Sequence, residues 1–129
     1  MEIAREALVH LTPDASSLRE GRRFVAATLR DWRVDEDRIE PVLLAANELL
    51  ANAIVHARSA PVLSLEESGP DLVVRVADAS PAAPVRRNGV PDETGGRGLI
   101  MVEALADEWG FDAHSSGKVV WVTFKGALQ

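Results

Sequence analysis

Residues 37–57 read DRIEPVLLAANELLANAIVHA, and the fold turns on how this stretch is taken. Ile39, Val42, Leu43, Ala46, Leu50, Ala53, Ile54 and Ala57 recur at the spacing of one helix face, which predicts a helix from about Asp37 to Ala57. Pro41 must then sit near its first turn or kink it. At about 100° per residue Glu48 points away from the centre of the apolar stripe, with Asn52 one turn on and His56 one turn further. Solvent faces are ordinarily dense in Lys, Glu and Arg, yet Leu44, Ala45, Ala51 and Val55 flank Glu48 and Asn52 here. A helix that is apolar nearly all round is covered on both sides. A carboxylate and a carboxamide inside its second apolar face would therefore line a pocket. Two plainer readings stay open: a face with few charges, or a buried Glu bonded to a neighbour. His56 alone reads first as a packed or capping residue near a helix end.

Working outward, residues 3–11 alternate modestly, with Ala7, Val9 and Leu11 in one phase, and predict a strand broken by Thr12-Pro13-Asp14. Ser17 and Glu20 have capping-box spacing. Leu18, Val25, Leu29 and Trp32 then continue at helical period to about residue 33. Gly21 inside that helix costs roughly 1 kcal/mol relative to Ala, so the helix relies on packing. Beyond the long helix, Val62–Glu66 and Leu72–Asp78 read as a hairpin about Ser68-Gly69-Pro70-Asp71. Residues 79–98 carry Pro81, Pro84 and Pro91 with Gly89, Gly95, Gly96 and Gly98 and show no periodicity. A loop of about 20 residues in so short a chain is usually functional or disordered. A short helix is predicted from about Gly98 to Asp107. Trp109–His114 and Lys118–Lys125 then read as a closing hairpin around Ser115-Ser116-Gly117. Helices and antiparallel strands come in separate groups. The expected fold class is α/β, a two-layer α/β sandwich with a mixed, mostly antiparallel sheet covered on one face by helices.

A length of 129 residues suits a single domain, 1–129, with one core. Hydrophobic residues are 47 % and charged residues 26 %, the composition of a globular chain and not of a disordered tail. Fourteen Lys and Arg against 20 Asp and Glu give a formal charge of −6. An acidic balance argues against a dedicated nucleic-acid or anionic-membrane binder, whose affinity comes mostly from basic side chains. The lack of Cys excludes disulfides, thiolate metal sites and a Cys nucleophile. Met1 to Glu6 has neither the basic start nor the apolar run of an export signal, and no stretch nears the roughly 18 apolar residues of a spanning helix. A cytoplasmic location is expected.

Chemistry-bearing residues fall in three further places. Leu72, Val74, Val76 and Asp78 share one strand phase, so Asp78 points inward if the first three do. Such a carboxylate must be paired or hydrogen-bonded, and at a strand end facing a cleft it could accept from an exocyclic amine. Equally, it could cap the turn Ala79-Ser80-Pro81. Thr94-Gly95-Gly96-Arg97-Gly98 runs into a helix, where free amides and Arg97 would favour an anion; a flexible hinge reads as well. Arg19, Arg22, Arg23, Arg30 and Arg33 decorate the first helix, as a partner surface or an ordinary solvated face. Trp32, Trp109 and Trp121 are read as core packing, and Ser115 and Ser116 as turn residues.

The order Glu48-Leu-Leu-Ala-Asn52-Ala53, then Asp78-Ala-Ser80-Pro81, then Gly95-Gly96-Arg97-Gly98-Leu99 resembles the ATP-binding domain shared by gyrase, heat-shock chaperones, MutL proteins and histidine kinases, the Bergerat or GHKL fold. The short length, with His56 and Ala57 after Asn52, is most similar to the anti-sigma-factor serine kinases, over roughly residues 15 to 125. The resemblance implies that Asn52 ligates a Mg²⁺ bridging the phosphates of ATP and that Glu48 is the general base. It implies that Asp78 reads the adenine amine beside Ser80, and that residues 79–98 form a lid whose Gly95, Gly96, Arg97 and Gly98 wrap the phosphates. It further implies a regulator of transcription that phosphorylates a serine of a small antagonist (anti-anti-sigma) protein while a homodimeric platform holds a sigma factor. No direct contact with nucleic acid or membrane is implied.

Departures from the family pattern lie on the adenine side. The family usually has Asp-x-Gly-x-Gly, where this chain has Ser80 and Ala82 in place of the glycines. Gly117-Lys118 stands where Gly-Thr is frequent, which removes a hydroxyl near the adenine. Three functions follow: a Mg·ATP-dependent serine kinase that is also an anti-sigma factor; an ATP-binding interaction module that transfers no phosphate; and a partner-binding domain that has lost nucleotide. The presence of Glu48 and Asn52 favours the first two.

Overall fold

The computed structural model describes residues 4–57, 59–80 and 98–128. Strand β1 (Glu6–His10) leads into helices α1 (Ser16–Asp31) and α2 (Glu36–Asn52), and α2 runs on into a single π turn, Ala53–Ala57. Strands β2 (Val62–Ser68) and β3 (Asp71–Asp78) form one hairpin. Helix α3 (Gly98–Leu105) precedes the second hairpin, β4 (Glu108–His114) and β5 (Gly117–Phe124). The five strands make one sheet in the order β1-β2-β3-β5-β4, and every pairing is antiparallel. β3 and β5, from different hairpins, pair near its centre.

Alternation along the strands assigns the core face. Leu63 and Leu65 of β2, Leu72, Val74 and Val76 of β3, and Val120, Val122 and Phe124 of β5 are all buried. They join Val25 and Leu29 of α1, Val42, Ala46 and Leu50 of α2, and Val102 of α3 in one apolar cluster. Each of these Val, Leu and Phe side chains stabilises the fold by about 1.5–3 kcal/mol relative to exposure. The helices thus cover one face of the sheet, as expected from the sequence. Trp32 and Trp109 pack on this core, but Trp121 does not. Trp121 shares its phase with Val119 and Thr123, on the opposite face, where it sits beside Gly110; a Cβ on Gly110 would come within 2.5 Å of the indole.

The helix termini refine the sequence reading. The capping box expected at Ser17 and Glu20 is not what starts α1. Ser17 is fully buried and donates its hydroxyl to the Asp14 carbonyl at 2.9 Å. The N-cap position is Ala15, and Asp14 just before it meets the first residue of the helix, its Oδ1 accepting the Ser16 N–H at 3.0 Å and the Ser16 hydroxyl as well. At the other end, Arg33 adopts φ 60°, with Val34 N–H bonded to Leu29 O at 2.9 Å and Arg33 N–H to Arg30 O at 3.0 Å. This is a Schellman motif, with buried Leu29 and Val34 as its apolar pair.

Gly21 shows why α1 tolerates a poor helix former. A Cβ there would lie 2.5 Å from Leu50 Cδ1, so the missing side chain lets α1 approach α2 closely. Arg22 also reaches Glu40 across the two helices at 3.5 Å, while the other arginines of α1 are exposed. α2 begins at Glu36 and carries Pro41 within its second turn, where the ring forfeits one backbone bond. Its α-helical part stops at Asn52, five residues before the predicted end. No helix among the described residues is long and apolar enough to cross a membrane.

Candidate functional site

Glu48 and Asn52 lie four residues apart in α2, hence one turn apart on one face of the helix. Both are half-buried. α2 packs against α1 on one side and α3 on the other, and it also touches β3 and β5. Its buried surface is broader than the single predicted stripe, because Ala45 and Leu49 are buried along with Ala46 and Leu50. The expectation of a helix covered on both sides is met only in part: Ala45 is buried and Glu48, Ala51 and Asn52 are half-buried, but Leu44 and Val55 keep 38 % exposure. The π turn starts immediately after Asn52. Such turns widen the helix and concentrate at functional sites. The α-helical spacing that would set His56 one turn beyond Asn52 therefore ends at Asn52, and the His56 side chain lies outside the described residues.

Asp78 closes β3 and faces inward with Val74 and Val76, as its phase requires. Its carboxylate is 1 % exposed and meets Lys118, its register partner on β5, with Nζ 3.1 Å from Oδ1 and 3.0 Å from Oδ2. Ser80 N–H donates to the same Oδ1 at 2.8 Å. Asp78 thus points inward as its phase requires and caps the turn that follows β3, the plainer of its two sequence alternatives, while its inward charge is met by Lys118. Ser80 O accepts from Lys118 Nζ at 3.3 Å, and Ala79 N–H donates to Ser59 Oγ at 3.0 Å, tying the turn to the segment before β2.

The sequence reading met Lys118 only as a departure from the family pattern near the adenine and gave it no partner, and it missed Ser59. The signal for Lys118 was present: it shares the phase of Val120, Val122 and Phe124, so its cation must point into the core and find an anion there. Gly117 makes the pairing possible. With φ +153°, it brings β5 so near β3 that a Cβ would lie 2.1 Å from Asp78 O. Of the glycine-rich run, Gly98 begins α3, whereas Gly95, Gly96 and Arg97 lie outside the described residues, as does most of the predicted lid. At the tip of the β4–β5 hairpin, His114 Nδ1 and Ser116 Oγ are 3.0 Å apart. Both are exposed and two residues apart, so this is a turn contact.

The donor sets at the two ends of this region differ in what they can take. Glu48 and Asn52 offer oxygen donors in half-buried surroundings, which suits a hard divalent cation that keeps waters and shares phosphate ligands. Among the described residues no group of three or more His, Asp or Glu could hold a metal by itself. A cation here would thus depend on a ligand such as a polyphosphate to complete its shell. At the other end, both Asp78 oxygens already accept from an ammonium, one of them also from a backbone amide. That arrangement does not fit an exocyclic amine as it stands.

Comparison with known proteins agrees with this architecture. Among solved structures, the RsbU and RsbW domains of Rv1364c from Mycobacterium tuberculosis superpose with a TM-score of 0.74 at 20 % identity, over 94 % of this chain and 32 % of that chain. This chain therefore spans about a third of that protein, and at such identity the likeness is one of fold. No curated protein matches. The histidine kinase-like ATPase domain matches residues 11–124, from the residue after β1 to the end of β5 and across α2, β3 and α3. With most of its length matched and an open antiparallel sheet under three helices, this chain belongs to the histidine kinase-like ATPase domain family and has the GHKL fold.

Proposed function

We propose that the chain is a regulatory protein that binds Mg·ATP, phosphorylates a serine of a small antagonist protein and sequesters a sigma factor. The observation that carries this reading is the pairing of Glu48 with Asn52, one turn apart and half-buried on the helix that lies between α1 and α3. Family membership supports nucleotide binding, and the similarity to an RsbW domain supports a role among regulatory partners.

In this reading the amide oxygen of Asn52 would hold the magnesium ion. The Glu48 carboxylate takes the proton of the attacking serine hydroxyl, one turn of helix from the metal ligand. Gly95, Gly96, Arg97 and Gly98 would meet the phosphates, through backbone amides and a guanidinium. When bound, Mg²⁺ would supply charge neutralisation, and the protein's own residues would supply position. Asp78 and Ser80 bound the base end. A cytoplasmic, homodimeric regulator acting without direct contact to nucleic acid or membrane completes the proposal.

A second reading is favoured by one observation. The engagement of Asp78 by Lys118 weakens the case for tight adenine recognition, so an interaction module with modest nucleotide affinity and no phosphotransfer is the alternative.

Thermal unfolding with ATP, with and without Mg²⁺, tests the site. A ligand at 100 times its Kd stabilises by about 2.7 kcal/mol, a shift of several degrees for a domain this size. A Mg²⁺-dependent shift in the wild type that disappears in Asn52→Ala supports the reading, and no shift at millimolar ATP sinks it. Phosphate transfer to a candidate antagonist, lost in Glu48→Ala while ATP binding persists, separates the kinase from the silent module.

A further inference from the structure

The strongest feature outside the catalytic pair is the closed state of Asp78. Lys118 Nζ donates to both carboxylate oxygens and to Ser80 O, Ser80 N–H donates to Oδ1, and the Lys118 and Asp78 side chains retain 6 % and 1 % exposure. An incoming amine would meet a carboxylate that is 1 % exposed and already holds an ammonium, and displacing that ammonium would leave a buried charge unpaired at high cost. The choice of cation is itself informative. Of the fourteen basic residues twelve are Arg, and one of the two Lys stands here. A compact ammonium with three donors matches two carboxylate oxygens and one carbonyl, where a planar guanidinium needs more width. Gly117 holds the two strands close enough to keep the pair in register.

We propose that Lys118 sets the base selectivity of the nucleotide site: its ammonium takes the place of an adenine amine on Asp78, so nucleoside triphosphates are held through their phosphates and adenine is not distinguished from guanine. The inference rests on the nucleotide-binding reading above and refines it. Lys118 acts here as a specificity determinant and has no part in phosphate transfer.

Isothermal titration calorimetry with the magnesium salts of ATP, GTP and inorganic tripolyphosphate tests it. In the wild type, ATP and GTP bind within about threefold of each other, less than one hydrogen bond to a charged group provides. In Lys118→Thr, ATP gains on GTP by about tenfold or more, while tripolyphosphate is unchanged. A wild type that prefers ATP over GTP by such a factor, or a folded Lys118→Thr with no gain in selectivity, overturns the proposal. Because the variant loses a buried partner, a readout on the wild type accompanies it. With ¹⁵N-labelled lysine, the Lys118 ammonium signal is protected from solvent exchange and stays so on adding ATP. Loss of that protection with ATP but not with tripolyphosphate refutes the role. If none of the three ligands binds either protein, the nucleotide reading itself fails and the proposal falls with it. Binding of all three without the expected pattern refutes Lys118 alone.

Discussion

Lys118→Met, Asp78→Asn and their combination form a double-mutant cycle on the buried pair, and the structure sets its magnitudes. Both side chains are almost fully enclosed, at 6 % and 1 % exposure, and their nitrogen and oxygen atoms meet at 3.0 and 3.1 Å. Removing one member of such a pair leaves a charge that water cannot reach, at a cost of about 3–5 kcal/mol. For Lys118→Met the lower end applies, about 3 kcal/mol, since the Ser80 N–H still donates to Asp78. Asp78→Asn keeps a carbonyl oxygen near the ammonium, and Ser80 O remains as acceptor, so a similar loss of about 3 kcal/mol is expected. The double variant buries neither charge, and similar-volume neutral residues bring it within about 1 kcal/mol of the wild type. Urea unfolding with an unchanged m-value measures each stability, and the single variants should melt roughly 10 °C lower. If Lys118→Met costs less than about 1 kcal/mol, or the double variant is as unstable as the worse single, then Asp78 is not closed by its partner and the reasoning fails.

Three further outcomes test the framework around the site. Gly117→Ala should destabilise by roughly 2–4 kcal/mol, because positive φ adds to a 2.1 Å approach to Asp78 O. Gly69→Ala, at φ +60° with nothing within 4 Å, should cost only about 1 kcal/mol, and equal losses in urea unfolding would show that crowding at Gly117 is not what matters. Arg33→Gly should stabilise by about 0.5–1 kcal/mol, since the end of α1 requires φ 60° of a residue with a Cβ; a lower midpoint in the same assay would contradict this. The Asp14 carboxylate is held below its ordinary value, first by the Ser16 hydroxyl and then by the Ser16 backbone N–H. Its ionised form therefore favours the folded state. The advantage of wild type over Asp14→Ala should be full above the ordinary value of 3.8 and shrink as pH falls through the folded value. Melting curves for the two proteins from pH 7 down to acid would show it, and an advantage that grows toward acid would reverse the sign.

How far the sequence could be read depends on how local each determinant is. The hairpins were legible because strand alternation and the Ser68–Asp71 and Ser115–Gly117 turns lie within a few residues of each other. The core stripe of α2 and the inward phase of Asp78 were legible for the same reason. The Asp14–Ser16 contact at the start of α1 was missed because Ser17 offers the same chemistry three residues on, and only packing decides which enters the core. Trp121 was misassigned because size and apolarity suggest burial, whereas strand phase places it on the opposite face beside Gly110. The stop of α2 at Asn52 has no local breaker to announce it.

The Asp78–Lys118 pair is the most instructive case, since its halves are separated by 40 residues and by a helix. From either strand alone, an inward charge at the end of an apolar run invites a ligand as its partner. Only the β3–β5 register brings two such ends together, and the two charges then satisfy each other. A family pattern transferred one residue at a time assigns Asp78 to a ligand's amine. The same carboxylate, considered with the residue opposite it, already has an amine. Glu48 and Asn52 on α2 and Asp78 on β3 can therefore differ in what they bind: the first two present oxygen donors of the kind a metal and phosphates need, and the third is closed by a side chain of the chain itself. An ATPase-family fold whose affinity is carried by the phosphate end would bind nucleotide more weakly and less selectively than one that also reads the base.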